Sequence, residues 1–487
     1  MTVAADDTVA PEPDERVRGR GVFGVFRDPA RTFLALAIVA GVYLVCVVPH
    51  FGGVDEPAHF YRAYQISTGQ FVPEKQRGTD FSGACLPLDV ILQVQRAGGE
   101  YFQHNLSLQG IRSKGDLHIS AAAIPRCPDD HSRGFVTFST FGSPLPYAPQ
   151  AAAAFVTRQL DMSVEAMLIV ERLAVLAAYV AVVWLAIRRT PRSKWALCAV
   201  GLLPVAVFQS ASSVSHDALT TAVSLLVLSS ALRALDPPDG VSARSLILEA
   251  FVLSAALGLC KPVYVVIAFC YLLPLLGARR RFERRELWPI ALAPVFGVIV
   301  SVAWNQAVGN LWKTDAGYFG IKVDSTYQKD RLVHAPWDFA ADTVRTLVNQ
   351  SLGWLKTLVD VGPSVTHWPW VLAMTVVAIY AVVSIQRDRR EPDSNLHWLQ
   401  RTLVVLVLVV GLVGVIAANY VYWTTPGLDE VGGVQPRYLV PLMALIPVAI
   451  GAPRWAWTRA ATARFPLAVL LVPVLLVFLV SVTFRMY

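Results

Sequence analysis

Two adjacent carboxylates, Asp55 and Glu56, stand directly after the first long apolar run of the chain, at 33–49. The local sequence is Val54-Asp55-Glu56-Pro57-Ala58-His59-Phe60. Where a membrane helix leaves the bilayer, such a pair suits acid–base chemistry at the membrane surface. Either carboxylate, Asp55 or Glu56, could serve as a general base. Pro57 fits the first turn of a helix and Asp55 the N-cap before it. A helix from there to about residue 68 sets Asp55, His59 and Arg62 at i, i+4 and i+7, on one face. The plainer reading of this spacing is an N-cap leading into an amphipathic interfacial helix.

Three further groups carry charge near the ends of apolar runs. His216-Asp217 opens one run and follows the polar stretch 209–215; Lys261-Pro262 interrupts another; Gln435-Pro436-Arg437-Tyr438 opens a third. Ionisable residues at membrane depth are costly, so each is a candidate for function. Each also has an ordinary explanation. His216-Asp217 suits a helix N-terminus, Lys261 can snorkel to headgroups, and Arg437 can anchor at the interface. Glu165 and Arg172 are expected to pair across two turns of their own helix. Together the groups offer a carboxylate base and cations for a phosphate, with Arg437 suited to bidentate contact and Lys261 to a point charge. Oxygen ligands for a divalent cation (Mg or Mn) exist in Asp55, Glu56 and Asp217, although the chemistry requires none.

The elements that must position these residues are membrane helices. The chain has 487 residues, of which 55% are hydrophobic, and a mean hydropathy of +0.49. Repeated apolar runs of roughly 17–25 residues predict an all-α polytopic membrane protein. The net charge of +7 is dispersed among short loops, which argues against nucleic-acid binding. The predicted spans are 33–49, 166–187, 195–210, 216–235, 245–259, 263–276, 287–307, 368–385, 402–422, 438–450 and 466–484, about eleven in all. Residues 1–30 are expected to form a disordered cytoplasmic tail, with residues 31–487 as the membrane domain. Basic residues flank both 245–259 and 263–276, so these two form a Pro-broken hairpin with Lys261 near the outer side. A long extracytoplasmic loop with interfacial helices covers 50–160, and a second loop covers 309–350. Trp354, Trp368, Trp370 and Trp423 are expected in an outer aromatic belt. Cys85 and Cys127, in the oxidising first loop, are expected to form a disulfide, whereas Cys46, Cys198, Cys260 and Cys270 lie in apolar spans.

The acidic pair followed by an interfacial helix resembles the GT-C superfamily of polytopic glycosyltransferases. More closely, the stretches DEPAHFYRAYQISTG and VQPRYLVPL resemble a bacterial membrane family of unknown function grouped with that superfamily, with SVSHDAL and GLCKP as weaker features. The general pattern covers about residues 31–487. The resemblance implies a GT-C-like fold in the bacterial plasma membrane and a polyprenyl-phosphate sugar donor used on the extracytoplasmic face. It also implies inversion at the anomeric carbon and a general-base role for Asp55, with Glu56 assisting. Superfamily members carry a large C-terminal soluble domain. None is expected here, which leaves acceptor recognition (a glycan or lipid of the cell envelope) to loops 51–159 and 309–349. His59, Arg62, His216, Asp217, Lys261, Gln435, Arg437 and Tyr438 are the candidate substrate-binding residues. The rival readings are a transporter or flippase of lipid-linked glycans and a non-catalytic envelope-assembly scaffold.

Overall fold

A computed structural model describes residues 22–76, 82–108, 124–137, 142–276, 282–309, 323–361, 368–386, 395–451 and 467–486. Helix α1 (Pro29–Val47) starts where Asp28 accepts hydrogen bonds from the N–H groups of Ala30 and Arg31, with proline in the first turn. Within the expected tail Val22–Arg27 is a 3-10 helix, and residues 1–21 lie outside the described residues. A turn leads to α2 (Glu56–Ser67), the helix expected from the motif.

The first long loop is not purely helical. Strands β1 (Glu74–Lys75), β2 (Ser82–Pro87) and β3 (Arg133–Thr137) form a small antiparallel sheet in the order β1-β2-β3, against which α3 (Leu88–Leu108) packs. The Cys85–Cys127 disulfide is present, with Cα atoms 6.0 Å apart. The sheet was invisible to periodicity because β2 and β3 pair across a long sequence separation, which no local pattern encodes.

Helices α4 (Ala148–Gln159) and α5 (Val164–Arg189) form the next antiparallel pair. Helices α6 (Lys194–Gly201) and α7 (Pro204–Ser212) are bent by 57° at Pro204. Proline cannot donate to the carbonyl one turn back. Two tyrosine hydroxyls repair the break: Tyr179 donates to the Gly201 carbonyl (2.8 Å) and Tyr380 to that of Leu202 (2.5 Å). Helix α8 (His216–Leu235) is almost wholly buried. Helix α9 (Ala243–Cys260) ends at Lys261; a 3-10 helix (Pro262–Leu272) and α10 (Leu273–Leu276) follow.

The expected hairpin is there. Glu249 near the start of α9 meets Arg189 and Arg233, which end α5 and α8, and the Leu273 carbonyl accepts from Gln400 at the start of α16 (Trp398–Trp423). Lys261 lies at the other end, beside the first turn of α8. Between them in sequence come α11 (Arg284–Leu287), α12 (Ala293–Ala307), α13 (Ser325–His334), α14 (Pro336–Asp360) and α15 (Trp370–Ser384). Thus much of the expected second loop is helical. A 3-10 turn (Pro436–Tyr438), α17 (Val440–Met443), α18 (Leu445–Ile450) and the last helix, Leu471–Met486, complete the chain.

Helices α9 and α12 approach closely through small residues. A Cβ on Gly258 would lie 2.3 Å from the Gly297 carbonyl oxygen, and one on Gly297 would lie 2.6 Å from that of Ser254. Among the described residues seven helices are long and apolar enough to cross a bilayer, or eight with the bent α6–α7 pair. Three shorter apolar helices, Pro262–Leu276, Trp370–Ser384 and Val440–Ile450, accompany them. The chain is a mostly helical, multi-span membrane protein. Of the tryptophans expected in an outer belt, Trp354 and Trp368 are instead buried in the core, while Trp370 and Trp423 are exposed. The basic loop residues Arg279, Arg280, Arg281, Arg387, Arg389, Arg390, Arg454 and Arg459 lie outside the described residues.

Candidate functional site

The turn between α1 and α2 separates the two adjacent acids. Gly53 sits so close to α7 that a Cβ there would fall 1.6 Å from the Ser212 carbonyl oxygen. Asp55 then adopts a left-handed conformation (φ 56°), which aspartate tolerates better than most residues. It occupies the N-cap position, yet its carboxylate makes no capping bond. The side chain is 53% exposed and its Oδ2 accepts from Arg437 Nη2 at 2.5 Å.

Glu56 turns inward. Its side chain is fully buried, with Oε1 and Oε2 each 2.7 Å from Arg172. Oε2 also accepts the Gly53 N–H. Arg172 donates further to the carbonyls of Val45, Val48 and Pro49, tying the end of α1 to the start of α2. Arg172 therefore pairs with Glu56, 116 residues away, and not with Glu165 as expected. Both oxygens of this buried carboxylate are thus engaged within the protein.

Around Asp55 the structure gathers groups from four other elements. Asp217, in the first turn of α8, accepts from Lys261 Nζ and lies 3.5 Å from Arg437 Nε. Ser215 caps this helix by accepting the Asp217 N–H at 3.0 Å. Lys261 is thus engaged with a carboxylate rather than snorkelling. Tyr438 lies under both cations, its ring centroid 4.8 Å from Lys261 and 5.2 Å from Arg437. Tyr264 donates to the Tyr438 carbonyl and pins this turn.

Arg437 is buried, and neither its Nη1 nor its Nε has a hydrogen-bond partner among the described residues. Burial alone would lower its pKa, but Tyr438, Asp217 and Asp55 outweigh it and hold the guanidinium above its ordinary value. Arg437 is a permanent cation with donors to spare.

Behind these charges, Tyr147 bridges two imidazoles. Its hydroxyl is 2.8 Å from His59 Nδ1 and 2.8 Å from His216 Nδ1. Burial lowers the His59 pKa from 6.5 to about 4, so it is neutral at pH 7. Sequence reasoning missed Tyr147, which was legible only as the start of an apolar segment.

Two candidates fall outside the network. Arg62 is buried but donates to Gln65 Oε1 and to the carbonyls of Phe71 and Gly142, so it braces loops. Gln435 is half-buried and its side chain makes no hydrogen bond to the described residues. Nor do Asp55, Glu56 and Asp217 form one ligand set, since Glu56 is committed to Arg172. Among the described residues no three His, Cys, Asp or Glu side chains are grouped to hold a metal ion. An apolar groove of about 840 Å³ runs along α9 from Arg244 to Leu259, bounded by Leu145, Pro289 and Phe296.

The family described as "Predicted membrane protein (DUF2142)" matches residues 38–446, a segment that includes every charged group of this network. The chain belongs to that family. No curated protein and no solved structure matches it. The DUF2142 match thus agrees with the membrane architecture and leaves the chemistry to be argued from the residues.

Proposed function

We propose that the chain is an inverting glycosyltransferase of GT-C type. It would move a sugar from a polyprenyl phosphate to a cell-envelope glycan or lipid acceptor on the extracytoplasmic face of a bacterial plasma membrane. On this reading the short apolar helices also cross, giving about eleven spans with the site end outside. The observation that carries the proposal is the pairing of a half-exposed carboxylate, Asp55, with a buried arginine that has unoccupied donors, Arg437. A base and an anion-binding group stand one hydrogen bond apart.

In the reaction Asp55 takes the proton from the acceptor hydroxyl as its oxygen attacks the anomeric carbon. The bond from that carbon to the phosphate oxygen breaks, and the electron pair leaves on the phosphate. Arg437 Nη1 and Nε, with Lys261 nearby, stabilise the developing charge. Phosphate leaves readily, so no general acid is required. The apolar groove along α9 reaches Leu259, two residues before Lys261, and would accept the lipid tail. A transporter reading draws on one specific observation: Glu171 on α5 is fully buried and neither carboxylate oxygen has a hydrogen-bond partner among the described residues.

The test is transfer of radiolabelled sugar from a panel of polyprenyl-phosphate donors to envelope glycans by the purified protein and its Asp55→Asn variant. Transfer by the wild type alone supports the enzyme. Equal transfer by both removes Asp55 from the mechanism, and donor binding without transfer favours the transporter.

A further inference from the structure

The Tyr147 hydroxyl has one hydrogen to share between two imidazoles that both lie at hydrogen-bond distance. A neutral imidazole carries one N–H and one lone pair. If both Nδ1 atoms were bare, one contact would be a repulsion between lone pairs. Hence at least one Nδ1 donates to the Tyr147 oxygen.

Asp217 decides which. His216 Nε2 lies 3.5 Å from Asp217 Oδ1. A lone pair there would face a carboxylate, whereas an N–H is attracted to it. With His216 neutral, its proton is on Nε2 and its Nδ1 accepts from Tyr147. The Tyr147 oxygen then accepts from His59 Nδ1–H. The His59 Nε2 is left as a bare lone pair. That nitrogen makes no hydrogen bond to the described residues, and its ring feels Asp217, Asp55, Arg437 and Lys261 together.

We infer that Tyr147 locks His59 and His216 in opposite tautomers, so that His59 Nε2 is a fixed acceptor for a substrate hydroxyl beside Asp55. His59 is the binding residue and Tyr147 the positioning residue. The hydroxyl ligand rests on the glycosyltransferase reading; the tautomers do not.

The experiment is ¹⁵N NMR of the full-length protein in bilayers, with its nine histidines labelled and His59 and His216 assigned by His→Asn variants. The wild type should show a protonated Nδ1 and bare Nε2 at His59, with the reverse at His216. A protonated His59 Nε2 overturns the inference. In Tyr147→Phe His59 should relax to a tautomer mixture while Asp217 keeps the proton of His216 on Nε2, and an unchanged His59 pattern would also overturn it. These readouts need no donor or acceptor, so they can succeed where transfer fails. With transfer in hand, His59→Asn should raise KM about 10-fold with a smaller change in kcat. Unchanged kinetics would remove the hydroxyl contact.

Discussion

Replacing Glu56 by glutamine tests the division of labour between the two adjacent acids. Arg172 makes two hydrogen bonds to Glu56 and three to the carbonyls of Val45, Val48 and Pro49, with both ionic partners at 0% exposure. Glutamine removes the countercharge and turns one oxygen into an N–H that faces donors. A buried guanidinium left without its anion costs about 3–5 kcal/mol. That is a large share of a typical stability of about 5–15 kcal/mol. Asp55→Asn should behave differently, because its carboxylate is 53% exposed and such pairs are worth about 1 kcal/mol or less. Equilibrium unfolding by SDS in mixed micelles, run on both variants, measures the contrast. Adding Arg172→Met to Glu56→Gln should recover most of the loss, since no unpaired charge then remains buried. Glu56→Gln protein as stable as wild type refutes the structural role. If that stable protein also lacked transfer, the base would be Glu56 and the reasoning from burial would be wrong.

Acidification should destabilise the protein between pH 6.5 and about 4, because the unfolded state binds a proton at His59 in that window and the native state does not. The His59 contribution reaches about 3 kcal/mol below the window, and its absence from the difference between wild type and His59→Gln in an unfolding series against pH counts against a buried neutral imidazole. Arg437→Lys keeps the charge but loses the fork that holds Asp55 while presenting Nη1. It should lower kcat/KM for donor about 10–100-fold, and wild-type kinetics would take the phosphate away from Arg437. Gly258→Ala should cost about 1–3 kcal/mol in the SDS titration, since its new Cβ would fall 2.3 Å from the Gly297 carbonyl oxygen; no loss there would mean that α9 and α12 are not held backbone to backbone.

What the sequence disclosed was whatever a short window can encode. Apolar runs marked the spans, Pro57 marked the start of α2, and flanking arginines with Lys261-Pro262 marked the hairpin. The charged groups named from their positions at span ends do meet, because helix ends at one bilayer face share one plane. What stayed hidden depends on contacts between distant segments. Arg172 had a plausible local partner in Glu165, and a bidentate bond to Glu56 displaced it. Tyr147 carries no motif, and its importance exists only once α2 and α8 bring two imidazoles to its hydroxyl. The roles of Asp55 and Glu56 could not be told apart from their order either. They are separated by a left-handed residue in a turn that a glycine presses against α7. At a helix start, neighbouring side chains point about 100° apart. Two adjacent acids there meet different surroundings: Asp55 faces the surface beside Arg437, and Glu56 faces the core beside Arg172. The motif brings both acids to the network, and the turn leaves Asp55 half-exposed and Glu56 buried.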